Sequence, residues 1–400
     1  MSIAIPRSLC LSATIFLLTS GAMAQHDPSG ITGGGMIGGS TSRPTTKPAT
    51  KPAAKPPATT TKPKPRTTTT TPVVKRPTTT TSNTADYYYQ QGESLYNAKN
   101  YKEALDQYLR ATQINPSMAA ALYRIGWIYN EEEDYQSAVD PLKRLVSIQP
   151  GHAAGSFELG YAYKKLEHYA EALTAFELTI VAKPDYAAAH YEIGWIRNEQ
   201  KKYEDAIQSL RRAISFRADY AEARNELGYA LRNLGRYPDA IAEYKEAIRS
   251  KPDMGLAHLG LGDVYYYNLK NYTEAAKAYK TGLSYRPDNA TAQYNLGWCY
   301  NDLERYNEAT AELRKATDLQ PTYPEAHNEL GYALHQLGRY QEAVQQYLIA
   351  IQQKTDYASA HYNLAMSYLA LHNRQGALQQ YRILQRIDNA RATKLFNQIK

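Results

Sequence analysis

From residue 85 onward, small and apolar positions return along the chain every 34 residues. Gly stands at Gly92, Gly126, Gly160, Gly194, Gly228, Gly262, Gly297 and Gly331, with Ala365 in the ninth place. Ala follows each at Ala104, Ala138, Ala172, Ala206, Ala240, Ala275, Ala309, Ala343 and Ala377. Numbered so that the Gly is position 8, nine units cover 85–391, with one inserted residue in the sixth (Asn268-Leu269-Lys270-Asn271). A fixed period of this length predicts stacked supersecondary units, each unable to bury its apolar face alone.

Each unit predicts two helices. Position 33 of the preceding unit holds Ser117, Asp185, Asp219, Asp253, Asp288, Thr322 or Asp356, types that accept a hydrogen bond from the free N–H groups of a helix start. Asp219 with Glu222, and Thr322 with Glu325, have capping-box spacing. Pro116, Pro150, Pro184, Pro252, Pro287 and Pro321 at position 32 predict the end of the second helix. A mid-helix Gly costs about 1 kcal/mol of propensity, so its recurrence at position 8 implies two helices in close contact there. A last helix capped by Asp388, forming the C-terminal cap over 392–400, is expected to close the array through Leu395, Phe396 and Ile399.

The residues before the repeats differ in kind. Residues 1–24 read as a secretory signal peptide: Arg7 precedes an apolar run from Leu9 to Leu18, and Ala22-Met23-Ala24 has the small-x-small cleavage pattern. Residues 25–84 read as a disordered Thr/Pro/Lys-rich linker with too little apolar surface to fold. Its Gly33, Gly35 and Gly38 match a dinucleotide fingerprint in spacing only, since no strand precedes them and no helix follows. The chain's net charge of +7 is concentrated there: nine Lys/Arg against Asp27 alone make the linker +8. The repeats are therefore nearly neutral, and the basic balance is no sign of nucleic-acid binding by them. The linker is expected to make at most weak contact with anionic envelope polymers. Cleavage leaves one cysteine, Cys299, so an exported chain has to be stable without an internal disulfide. The expected location is periplasmic or secreted, with no transmembrane segment after cleavage.

Gly92, Ala104, Tyr108, Ala111 and Pro116 stand where the tetratricopeptide repeat (TPR) family has Gly, Ala, Phe/Tyr, Ala and Pro, and the pattern resembles that family over 85–391. It departs at position 4, where the family often has Trp and this chain has Tyr88, Leu122, Ser156, His190, Arg224, His258, Gln293, His327 and His361. It departs again where the position-32 Pro is replaced by Ala218, Thr355 and Asn389. The resemblance implies an all-α solenoid, a right-handed superhelix of about nine helix-turn-helix repeats. It also implies a concave groove, lined by positions 2, 5, 9 and 12 of the first helices, that binds peptides or helices of other proteins.

Those positions are unusually aromatic, and the 36 Tyr of the chain, against 5 Phe and 3 Trp, all lie beyond residue 86. Position 9 holds Trp127, Tyr161, Trp195, Tyr229, Trp298 and Tyr332, with Glu93, Asp263 and Met366 in the other units. Position 5, one turn earlier on the same face, adds Tyr123, Phe157, Tyr191, Tyr294, Asn225 and Asn328. Position 12 adds Asn130, Asn198 and Asn301 in the units that carry Trp. These residues form a candidate ligand track in which rings supply rigid contact area and amides pair with a ligand's backbone. The same aromatics could instead pack between units and stiffen the array. Tyr-x-x-Gly-Trp units alternate with Asn-Glu-Leu-Gly-Tyr units, a two-unit period that packing alone does not require and that points to duplication or to a repeating ligand. The position-17 Tyr residues, such as Tyr101, Tyr135, Tyr169 and Tyr306, read as packing residues at the turn between helices.

No sharper chemistry stands out. Metalloprotease, redox, nucleophile-elbow and phosphate-loop patterns are lacking. The His at position 4 fall in different units, about 10 Å apart, which suits core or interface packing better than a shared metal. The expectation is a non-enzymatic protein-interaction scaffold in the envelope or secreted space, with no cofactor or metal. A polysaccharide- or peptidoglycan-binding module using the aromatic track is one alternative, and a regulatory subunit of an exported enzyme complex is the other.

Overall fold

The computed structural model describes residues 84–400. The expected leader over 1–24, and all of the expected linker except Thr84, lie outside the described residues. Helices follow one another in pairs: α1 and α2 (Ala85–Asn97, Tyr101–Ile114), α3 and α4 (Ala119–Glu131, Tyr135–Ile148), α5 and α6 (Ala153–Lys165, Tyr169–Ala182), and α7 and α8 (Ala187–Glu199, Tyr203–Phe216). Then come α9 and α10 (Ala221–Asn233, Tyr237–Ser250), α11 and α12 (Gly255–Asp263, Tyr272–Tyr285), and α13 and α14 (Ala290–Asp302, Tyr306–Leu319). The series ends with α15 and α16 (Pro324–Gln336, Tyr340–Gln353), α17 and α18 (Ala358–Ala370, Arg374–Ile387), and α19 (Asn389–Ile399). The described residues contain no strand, and the fold is the all-α solenoid expected. None of these helices is long and apolar enough to cross a membrane.

The hairpin of each repeat is set by the position-8 Gly. A Cβ added at any of the eight would lie 2.3–2.9 Å from the side chain at position 24 of the second helix, for example Tyr108 across from Gly92 or Leu210 across from Gly194. The position-20 Ala residues beside this contact are fully buried. Between the two helices every repeat places position 15 in the left-handed region, with φ between 55° and 75°. Only Gly235 and Gly338 are glycines there; Lys99, Glu133, Glu167, Lys201, Lys270, Glu304 and His372 hold it in the other repeats.

Connections between repeats differ from the capping expected. The N-cap is the residue after position 33: Met118, Tyr186, Tyr323 and Tyr357 stand there without a side-chain cap bond. The position-33 residue instead sits inside a four-residue turn closed by backbone bonds such as Tyr186 N to Lys183 O (3.1 Å) and Met254 N to Lys251 O (3.0 Å). Pro at the second and Asp at the third place of such a turn satisfy its dihedrals, so Pro184-Asp185 and Pro252-Asp253 are turn chemistry. Two N-caps in that place do accept through the side chain, His152 and Asn289, and side-chain caps occur elsewhere at Thr84, Asp134, Asn271, Asn373 and, as expected, Asp388.

The described residues divide into two compact units, one ending at Ala218 and one beginning at Asp219. In the first, buried clusters succeed one another along the repeats, centred on Tyr108 and Ile128, on Leu142 and Ala162, and on Phe176 and Ile196. In the second, one cluster joins Tyr279, Cys299, Leu313, Ala333 and Tyr347, and another closes under α19 through Ala365, Leu384, Leu395 and Ile399. The inserted residue of the sixth repeat is absorbed by a turn of π-helix, Val264–Asn268, that continues α11.

Candidate interaction face

The aromatics of position 9 meet the position-17 Tyr at the start of the preceding repeat's second helix. Trp127 on α3 lies edge-on to Tyr101 (centroids 5.8 Å apart, planes at 68°) and to Tyr96 (5.2 Å). Tyr161 meets Tyr135 in the same way (6.1 Å, 72°), and Trp195 meets Tyr169 at 6.2 Å. In the second unit Tyr332 pairs with Tyr306 (6.2 Å, 70°). Trp298 is surrounded by Tyr266 (5.2 Å), Tyr294 (5.4 Å) and Tyr267 (6.3 Å), the π-helical turn bringing two consecutive rings to it. Edge-to-face pairs of this kind stabilise beyond their buried area.

The rings pack, yet many keep a face to solvent. Trp127, Tyr161, Trp195, Tyr229 and Trp298 are half-buried, as are Tyr123 and Tyr191 at position 5. Tyr332, Tyr294 and Phe157 are buried. Phe157 stacks on Tyr186 (5.0 Å), Tyr123 lies against His152 (5.2 Å) and Tyr294 against Tyr323 (5.0 Å). Burial, with the Glu158 carboxylate behind it, raises the Tyr186 hydroxyl to about 12.

Cations of the protein itself sit over these rings. Arg124 lies 4.1 Å from the Tyr96 centroid, and Lys164 Nζ 4.8 Å from Trp195. Lys165 Nζ lies between Tyr135 (5.3 Å) and Tyr161 (5.7 Å), and Arg232 over Tyr229 (5.4 Å). The face therefore has the ring quadrupoles and spacing to hold cationic or amphipathic groups.

The amides lie deeper than a ligand track requires. Asn130 donates from Nδ2 to the Glu158 carbonyl (3.0 Å) and carboxylate (3.0 Å) on the next repeat. Asn301 repeats this with Glu329 at 3.2 and 3.1 Å. Asn225 and Asn328 donate to the carboxylates that follow them, Glu226 (3.4 Å) and Glu329 (3.2 Å). All four, and Asn198, are at most 7 % exposed. Asn130 and Asn301, and Asn328 by accepting from Asn363 Nδ2 (3.2 Å), join neighbouring repeats from inside, so the solvent-facing part of the expected track is its rings.

Three polar networks were not legible as a site. Glu93 accepts Tyr108 Oη (2.6 Å) and both arms of Arg124 (2.7 and 2.9 Å). Burial alone would raise its carboxyl, but the Arg124 and Tyr108 hydrogen bonds outweigh it and hold it low. Asp263 accepts Tyr279 Oη (2.7 Å) and is paired with Arg232. Lys164 and Glu192 form a buried pair at 2.5 Å. The signal was present for the first two: both acids at position 9, Glu93 and Asp263, stand in repeats whose position 24 is a Tyr, Tyr108 and Tyr279.

The position-4 histidines are structural. Nε2 of His190, His258, His327 and His361 faces the carbonyls of Pro184 (2.9 Å), Pro252 (3.1 Å), Pro321 (3.1 Å) and Thr355 (2.9 Å), pinning the preceding turn. The described residues contain no group of three or more side chains that could hold a metal.

The two-unit alternation, which packing alone was not expected to require, reaches the core as well as the rings. Where position 9 is Trp, position 24 is Leu142, Leu210 or Leu313 and position 10 is Ile128, Ile196 or Cys299. Where position 9 is Tyr, position 24 is Phe176, Tyr244 or Tyr347 and position 10 is Ala162, Ala230 or Ala333. All twelve are at most 1 % exposed, so a larger residue on one helix accompanies a smaller one on the other.

A tetratricopeptide repeat model matches residues 89–153, 157–223 and 225–281, and a TPR repeat model matches 266–298, 299–338 and 331–371. Among solved structures, YrrB, described as a TPR protein with an unusual peptide-binding site, is 25 % identical over 47 % of this chain and 97 % of its own, with a TM-score of 0.45. PilF of Pseudomonas aeruginosa is 18 % identical over 52 % and 94 %, with a TM-score of 0.47. A MamA protein is 20 % identical over 47 % and 97 %, with a TM-score of 0.41. No curated protein matches the chain.

Proposed function

Because the chain belongs to the tetratricopeptide repeat family, whose members are protein-interaction scaffolds, we propose that its half-buried rings hold an extended segment of a partner protein. In residues 84–218 the contact rings are Tyr123, Trp127, Tyr161, Tyr191 and Trp195; in residues 219–400 they are Tyr229 and Trp298. The observation that supports this most is that the protein's own Lys and Arg already lie over several of these rings. A partner's Lys, Arg or Pro side chains would find the same surfaces at each repeat. Asn130, Asn301 and Asn328 tie neighbouring repeats together beneath them. The reading is non-enzymatic, and the signal-peptide pattern of residues 1–24 supports a setting in the periplasm or secreted space.

The test is crosslinking in the native envelope, with captured proteins read by mass spectrometry, for the parent and for a Trp127→Ala, Trp195→Ala double variant. Loss of two partly exposed aromatic anchors is expected to weaken capture on the order of ten-fold or more. Unchanged capture, with helicity retained in both proteins, would sink the reading. Exposed rings also stack on sugars, so binding to a glycan array without protein capture would favour the polysaccharide alternative.

A further inference from the structure

We propose that the cavity between α12, α13 and α14, in the seventh repeat, is a binding site for a guanidinium group carried on an aliphatic stem. It shares no residue with the ring face. Position 4 of the first helix and position 23 of the second, 19 residues apart, face each other within a repeat. Three repeats close the space between them from their own side chains. In the fifth, Arg224 donates from Nη1 to Glu243 (2.9 Å). In the eighth and ninth, Nδ1 of His327 and His361 meets Oε1 of Gln346 (2.8 Å) and Gln380 (2.7 Å). The seventh repeat has Gln293 at position 4 and Glu312 at position 23, two acceptors with no donor between them. Gln293 Nε2 donates to the Pro287 carbonyl (3.4 Å), as the position-4 His meet the carbonyls of their own preceding turns. That carbonyl needs a donor, so the orientation of the amide is fixed and Oε1 is the end left over. Gln293 is 5 % exposed, and no described residue donates to its Oε1. A buried acceptor in this state is costly, and a ligand N–H removes the cost.

Gln293 and Glu312 line a cavity of about 480 Å³, within the size range of small-molecule sites. Leu283 from α12, Leu296 from α13 and Leu319 from α14 give it aliphatic walls. Lys280 and Asp318, also in the lining, offset each other in charge. The fifth repeat shows which group suits the polar end: a carboxylate stands at the same position 23, and a guanidinium meets it. A ligand guanidinium takes the place of Arg224's. Its planar fork donates one N–H to Gln293 Oε1 and others to the Glu312 carboxylate, while its stem lies along the leucines. An ammonium is a compact, strongly hydrated point charge without that fork, and fits less well. Lys315 competes by holding Glu312 at 3.0 and 2.9 Å, but its side chain is 56 % exposed, and an exposed pair of this kind contributes little. The guanidinium can arrive as free arginine or as an Arg side chain in a partner's segment.

The experiment follows the methyl NMR signals of Leu283, Leu296 and Leu319 in the chain from Gln25 to Lys400 during titration. The probes are N-acetyl-L-arginine N-methylamide, which stands for an Arg within a peptide, free L-arginine, and N-acetyl-L-lysine N-methylamide. Saturable shifts at these methyls are expected with an arginine probe. Tighter binding of the blocked probe assigns the source as a peptide, and tighter binding of free L-arginine assigns it as a small molecule. The lysine probe is expected to bind on the order of ten-fold more weakly, and Gln293→Met to weaken the arginine probe by a similar factor. Gln293→His, which gives the seventh repeat the bridge of the eighth and ninth, should abolish binding. It keeps a ring nitrogen for the Pro287 carbonyl, so retained helicity in this variant separates lost binding from a lost fold. Lys315→Ala frees Glu312 and is expected to tighten binding by about two-fold. Equal response to the lysine and arginine probes, or unchanged affinity in both Gln293 variants, would overturn the proposal. So would an absence of shifts with either arginine probe, water alone then serving Gln293 Oε1.

Discussion

Gly194 contributes through the atoms it lacks. A Cβ there would stand 2.6 Å from Leu210 Cγ and 3.3 Å from the Ala206 carbonyl, and the latter belongs to helix backbone that cannot swing aside. Gly194→Val is therefore expected to destabilise by about 1–3 kcal/mol through overpacking, despite the better helix propensity of Val. Denaturant unfolding checks this; a midpoint equal to that of the parent would contradict the close-contact assignment. Asn130 and Asn301 work in the opposite sense, each filling a gap between repeats with two hydrogen bonds. Their residue type suggested ligand pairing, and only the arrangement of the next repeat's first helix, with Glu158 and Glu329 in reach, reveals where the amides go.

At the scale of elements, α4 is the irregular member. Pro141 stands inside it, buried, and supplies no N–H for the Ser137 carbonyl one turn back. An interior Pro costs about 3 kcal/mol of helix stability. Pro141→Ala is expected to stabilise by about 1–2 kcal/mol, the lost burial of the ring offsetting part of the gain. A melting temperature at or below the parent's would mean that the ring fills its site better than the helix tolerates the break. Helix existence and pairing were legible from the Gly–Ala spacing, because period alone places position 8 against position 24. The helix starts were displaced by one residue, because Asp185 or Asp253 after Pro is equally good chemistry for a turn and for a cap. The ring positions of the candidate face were legible too. Their partners were not, since the pairing of position 9 with position 17 joins residues of different repeats whose adjacency no local pattern expresses.

For the whole molecule, the abundance of buried Tyr makes alkali the revealing variable. Burial raises the hydroxyl of Tyr186 to about 12 and also pushes up those of Tyr244, Tyr279 and Tyr294. In the unfolded chain Tyr loses its proton near pH 10, so between about pH 10 and 12 the native state keeps protons the unfolded state has released. Stability is complete below about pH 10 and falls as pH rises through that window. Helical circular dichroism and tyrosinate absorbance are expected to change together there. Gradual tyrosinate formation with helicity intact to pH 12 would refute it.

The paired exchange of Ile–Leu for Ala–aromatic in successive cores has a consequence for how such a chain can grow. A single repeat copied beside itself would interrupt the exchange, as the sixth repeat already does where Tyr279 follows Tyr244 at position 24. Copying two at a time restores the sequence of layers. Lengthening, shortening or recombining this array should therefore succeed in steps of 68 residues, twice its 34-residue period, more readily than in steps of one period.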